Sequence, residues 1–104
     1  MKCMMIGDIF GRPGRRAMRE CLSDLVKKHD VDFVVANAEN SAGGFGLTEP
    51  IASELFGYGV DVLTGGNHSW DKRQGYDLLD NNERVLRPHN YPSSNPGSGV
   101  AVVD

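Results

Sequence analysis

Three short apolar runs, Cys3-Met4-Met5-Ile6, Phe33-Val34-Val35-Ala36 and Val60 to Thr64, recur along the chain with helix-length segments between them. The first two are continuous rather than alternating, which suits strands buried on both faces. Parallel strands need a crossover of a dozen or more residues, usually a helix, and the gaps here have that length. The pattern therefore predicts an α/β fold: an open, mostly parallel sheet with right-handed crossovers and helices on both faces. At 104 residues the chain is read as a single domain, 1–104.

The intervening segments carry helical signals. Met18, Cys21, Leu22, Leu25 and Val26 recur at helical spacing, with Pro13 placed for the first helical position. A second helix starts after Thr48 as cap, carries Ile51, Leu55 and Phe56 inward, and ends at Gly57 and Gly59. A third covers about Lys72 to Asp80, and Val85-Leu86-Arg87 reads as a fourth strand. Residues 88–99 are rich in Pro, Ser, Asn and Gly, a loop composition leading to a final strand from Gly99 to Asp104. An α/β pattern that halts on a strand reads as unfinished. The expectation is a truncated domain whose exposed sheet edge suits a second copy or a complementary C-terminal chain.

Charge and composition remove whole classes of function. With 11 basic against 14 acidic residues the net charge is −3, which argues against general nucleic-acid binding and against anionic membranes. The first apolar stretch is too short for a signal peptide and none is long enough to span a bilayer, so the expected location is cytoplasmic. The two cysteines, Cys3 and Cys21, form no CxxC pair and sit among apolar residues, which suits a reducing compartment.

Polar residues gather after each of the three clearest strands: Asp8 after the first, Asn37 to Asn40 after the second, Asn67 and His68 after the third. In an open parallel sheet all strand carboxyl ends share one edge, and ligands bind in the crevice there. Asp8, Glu39, Asn40, Asn67 and His68 should therefore converge. Two carboxylates and two amides form a hard oxygen set beside an imidazole, favouring Mg²⁺, Mn²⁺ or iron over thiolate-type zinc. A carboxylate such as Glu39 can bridge two ions, an arrangement suited to displacement at phosphorus. The plainer alternatives are helix caps and Asx turns for the acids and amides, and a backbone-satisfied loop position for His68.

Arg12, Arg15, Arg16 and Arg19 stand at helical spacing where the first helix begins. Cations oppose the helix dipole there, so the sequence admits a phosphate pocket beside Asp8, or a solvated face with Arg16 paired to Glu20. Neither GxGxxG nor a Walker-type GK[ST] occurs. Gly43, Gly44 and Gly46 suit a tight turn or a flap near the site. Trp70 and Tyr91 can stack on a base or pack at a rim, and His29 and His89 receive no role.

The stretches IGDIFGRPGR (6–15), NAENSAGGFGLT (37–48), DVLTGGNHSWDK (61–72) and RPHNYP (87–92) make the chain resemble the YmdB-like branch of the calcineurin-type metallophosphoesterases. The resemblance implies half of a metallophosphoesterase-type α/β sandwich, with a centre of two divalent ions, commonly iron or manganese, with magnesium as an alternative. It implies a phosphodiesterase that hydrolyses phosphate diesters such as cyclic nucleotides through a metal-bound hydroxide. Asp8 would bind one ion, Glu39 would bridge both, and Asn40 and Asn67 would bind the second. His68 would protonate the leaving oxygen or steady the phosphate. The family's remaining ligands are histidines in a second half, so activity would need that half supplied. A non-catalytic nucleotide- or phosphate-binding module, or an interaction module of the same descent, is the alternative.

Overall fold

Strands β1 (Cys3–Asp8), β2 (Phe33–Asn37) and β3 (Val62–Thr64) form one parallel sheet in the order β1-β2-β3. The computed structural model describes residues 1–44 and 46–103; Phe45 of the glycine-rich loop and Asp104 of the expected last strand lie outside the described residues. Helices α1 (Gly11–His29), α2 (Glu49–Gly57) and α3 (Gln74–Asn81) complete the alternation that the apolar runs predict.

Side chains alternate across a strand, and burial follows that period. Val34, Ala36 and Leu63 join Met18, Leu22, Leu55, Leu78 and Leu79 in one core, with Met4 and Ile6 packed against it. On the opposite parity Met5 is 80% exposed. Strands laid down in sequential order by right-handed crossovers carry successive helices to the same side. Among the described residues, buried side chains of all three helices and of the sheet belong to one core cluster. Leu22, Leu55 and Leu63 are fully buried, each worth about 1.5–3 kcal/mol relative to exposure.

Helix α1 begins at Gly11 rather than at Pro13, which falls inside the first turn, where a missing N–H leaves no intrahelical bond unmade. It ends at Asp30 in the left-handed conformation (φ 51°), after which Val31 N donates to Val26 O at 3.0 Å. Its buried stripe is Met18 and Leu22, with Val26 packed beside them. Cys21 and Leu25 lie on the flank and are exposed, and Cys3 is exposed too, so neither cysteine has the apolar surroundings expected of it.

The fourth strand reduces to a single bridge. Leu63 N donates to Arg84 O and Leu86 N to Leu63 O, both at 2.8 Å, pairing Val85 with β3. Arg87 then leaves the ladder for another task. Only 8% exposed, it donates from Nε to Gly97 O at 3.2 Å and from Nη1 to Pro88 O at 2.8 Å and Tyr91 O at 3.5 Å. The loop is closed further by Asp80 Oδ1, which accepts from Gly97 N at 2.8 Å, and by Trp70 packed on Tyr91 with ring centroids 4.8 Å apart. The rim packing of those two rings is thus realised. Residues 99–103 form no strand. Ser98 Oγ accepts from Val100 N and donates to Val100 O, at 3.2 and 3.0 Å, a local closure that competes with ladder pairing.

Candidate functional site

At the carboxyl edge of the sheet the β1–β2 ladder breaks register. Ile6 pairs with Ala36, but the next pair is Asp8 with Asn37, leaving Gly7 as an extra residue. Such a bulge re-aims the side chain that follows it. Asp8 thereby takes the parity of Asn37 and is exposed at the edge, off the helix-covered face.

The loop after β2 is held from several directions. Asn37 Oδ1 accepts from Glu39 N at 3.2 Å, Ala38 N donates to Thr64 O at 2.9 Å, and buried Ser41 Oγ donates to Ala38 O at 2.7 Å. Asn40 O accepts from Gly11 N at 2.9 Å and Gly44 N at 3.1 Å, tying the loop to the start of α1, and Gly46 N donates to Glu39 O. Gly43, Gly44 and Gly46 all have positive φ, the tight-turn geometry their sequence suggests.

Two direct contacts join the three strand ends. Asn40 Nδ2 donates to Asp8 Oδ1 and Oδ2 at 3.1 and 3.0 Å. Glu39 Oε2 accepts from His68 N at 3.0 Å. The Glu39 carboxylate lies directly over Gly66, where any Cβ would overlap it. Gly66 N in turn donates to Ser69 Oγ at 2.9 Å, fixing the turn that presents the His68 amide. His68 Nδ1 is 2.6 Å from Asp71 Oδ2, which orients the ring.

These bonds join Asp8 to Asn40 and Glu39 to the backbone of His68, where the three strands end. Asn67 lies exposed on the same turn, with no side-chain bond to other described residues. Three contributors were not singled out from sequence: Asn37 as the brace of Glu39, Gly66 as its floor, and Asp71 as the partner of His68. The three-residue spacing of His68 and Asp71 was the available signal for the last.

One atom bears on cation binding. Asn40 Oδ1 is buried with no hydrogen-bond partner, an arrangement that costs about 1–3 kcal/mol. It belongs to the amide whose nitrogen meets the Asp8 carboxylate, and an acceptor left without a proton donor is of the kind that a hard divalent ion takes. Among the described residues no three His, Cys, Asp or Glu side chains form a group able to hold a metal ion. The amide oxygens are therefore needed to complete the donor set.

The model of the YmdB-like protein family matches residues 4–104. The 2′,3′-cyclic-nucleotide 2′-phosphodiesterase of Bacillus subtilis is 41% identical over 103 residues, covering 99% of this chain and 39% of that protein. A crystal structure from Thermus thermophilus superposes with a TM-score of 0.92 at 39% identity, over 100% of this chain and 40% of that one. A crystal structure described as a novel phosphatase from Mycoplasma pneumoniae gives 0.92 at 32% identity, over 100% and 38%. The chain spans about two fifths of the length of the curated relatives of this kind. No helix among the described residues is long and apolar enough to cross a membrane.

Proposed function

The chain belongs to the YmdB-like protein family, and on that footing we propose that it supplies the oxygen-donor side of a two-ion phosphodiesterase centre. The proposed substrates are small phosphate diesters, 2′,3′-cyclic nucleotides among them, by analogy with the activity named for the Bacillus subtilis relative. Asp8, Glu39, Asn40 and Asn67 would hold divalent iron or manganese, with magnesium as the alternative. The observation that carries this is the buried, unpartnered Asn40 Oδ1 beside the Asp8 carboxylate. Bound ions supply Lewis-acid neutralisation of the charge that gathers on phosphorus.

The chain's own residues supply positioning and a proton. The bulge at Gly7 aims Asp8, and the Asn37 and His68 contacts fix Glu39, so these two carboxylates are set before any ligand arrives. With Nδ1–H of His68 donated to Asp71, Nε2 is the ring atom left for the leaving oxygen. Further ligands come, in this reading, from outside these residues, in a longer chain, a complementary chain or a second copy.

The test is titration of the metal-depleted protein with Mn²⁺ by calorimetry, alongside hydrolysis of 2′,3′-cyclic AMP. Glu39→Gln is expected to weaken Mn²⁺ binding by at least about 10–100-fold, the range already seen for groups one layer further out. Unchanged Mn²⁺ affinity removes Glu39 from the centre. A second reading, a phosphate-binding module without turnover, is favoured by one observation: no three acidic, His or Cys side chains cluster among the described residues. It predicts nucleotide binding that survives a chelator.

A further inference from the structure

Beside the candidate centre, a groove between α1 and α2 is lined by Arg12, Arg15, Arg16, Arg19, Glu54 and Tyr58. The arginines fall at positions i, i+3, i+4 and i+7 of α1, a single stripe running about 10 Å along the axis at 1.5 Å per residue. The structure divides them by task. Arg15 is structural: its Nε pairs with Glu54 at 3.0 Å and its Nη1 donates to Ser41 O, the residue after Asn40, at 2.6 Å. Arg16 is neutralised by Glu20 at 3.1 Å, as the solvated-face alternative expects. Arg12 and Arg19 are exposed and have no ion pair among the described residues.

Arg12 sits in the first turn of α1, where the helix dipole is already positive and no acidic residue offsets it, and Arg19 follows two turns along the same stripe. At the N-cap of α1, two residues before Arg12, stands Phe10, 60% exposed. The tip of its ring approaches Gly44, where a Cβ would come within 2.9 Å of Cζ, and most of the side chain remains exposed. An exposed aromatic face followed by unpaired guanidinium groups is the combination that binds single-stranded nucleic acid: bases stack, and the backbone tracks the cations. An acidic peptide would use the arginines and leave Phe10 without a purpose.

We infer that this groove is a track for the phosphodiester backbone of a single-stranded oligonucleotide whose terminal phosphate occupies the candidate centre. The inference rests on the phosphodiesterase reading and narrows its substrate class from mononucleotides to oligonucleotide ends. The overall charge of −3 confines such binding to this stripe.

The experiment is fluorescence anisotropy of a labelled single-stranded RNA hexanucleotide ending in a 2′,3′-cyclic phosphate, across a salt series, with an unlabelled glutamate hexapeptide as competitor. Each lost phosphate contact lowers the slope of log K against log salt by about 0.7 on single strands. Arg12→Ala with Arg19→Ala is expected to lower it by about 1.4, Phe10→Ala to weaken binding without changing the slope, and the Lys pair at 12 and 19 to preserve it. Asp8→Asn separates the two claims, because it alters the centre and leaves the groove intact. Arginine-dependent binding that Asp8→Asn leaves unweakened would keep the track and detach it from the centre. An unchanged slope in the alanine pair, or equal competition by the peptide, overturns the track and leaves the centre standing.

Discussion

The side-chain amide of Asn40 reaches both carboxylate oxygens of Asp8 across an offset of 32 residues, while its own oxygen is buried and unanswered. Asn40→Ala removes two exposed-side bonds to Asp8, each worth about 0.5–1.5 kcal/mol, and also removes an orphan acceptor that costs about 1–3 kcal/mol. The terms nearly cancel. Urea unfolding of the metal-depleted variant should lie within about 1 kcal/mol of the parent, whereas Mn²⁺ affinity should fall at least about tenfold. A variant that unfolds readily yet binds Mn²⁺ normally would assign Asn40 to structure alone.

Gly66 tests whether the Glu39 carboxylate is seated where its contacts put it. A methyl group on Gly66 would occupy the same space as that carboxylate. Overpacking of this kind costs about 1–3 kcal/mol, and Gly66→Ala should also weaken Mn²⁺ binding by displacing Glu39. Adding Glu39→Ala should restore stability without restoring the metal. Additive losses in that double-mutant cycle would show that the two positions do not meet.

The order of elements and the convergence at one sheet edge were legible in the sequence, because apolar runs report burial and strand ends of a parallel sheet point one way. Glu39, Asn40 and His68 could be located on that basis alone. The bulge could not, since a lone glycine after a strand has many uses and only the register of β2 shows Gly7 to be supernumerary. Arg87 was read as the end of a strand. Its guanidinium is instead the hub of the following loop, a role set by three carbonyls brought together only in the fold. Nor does periodicity say which side of a continuous apolar run the helices will cover.

That hub gives a third expectation. Arg87→Met keeps an unbranched apolar stem and strands the carbonyls of Pro88, Tyr91 and Gly97. The loss should be about 1–3 kcal/mol in urea unfolding, with limited proteolysis opening first within 88–98. Unaltered protease resistance there would mean that Trp70, Tyr91 and Asp80 suffice to close the loop.

A fourth concerns Asp30, the only described non-glycine residue with positive φ, at 51°. The left-handed conformation costs an ordinary residue roughly 1–2 kcal/mol, less for Asp, and its carboxylate faces the negative end of α1. Asp30→Gly should therefore raise stability, by about 0.5–1 kcal/mol in urea unfolding. A loss would reveal a contact of the Asp30 side chain that outweighs both terms.

The supernumerary glycine of β1 makes chain length at that point a chemical variable. Removing Gly7 would join Ile6 directly to Asp8 and leave the carboxylate opposite Asn37, on the side of the sheet it already occupies. An added residue between Cys3 and Ile6 would invert every side chain of the strand that follows it. Substitution at these positions perturbs packing alone, whereas a one-codon insertion relocates the charge on which the proposed cation site depends.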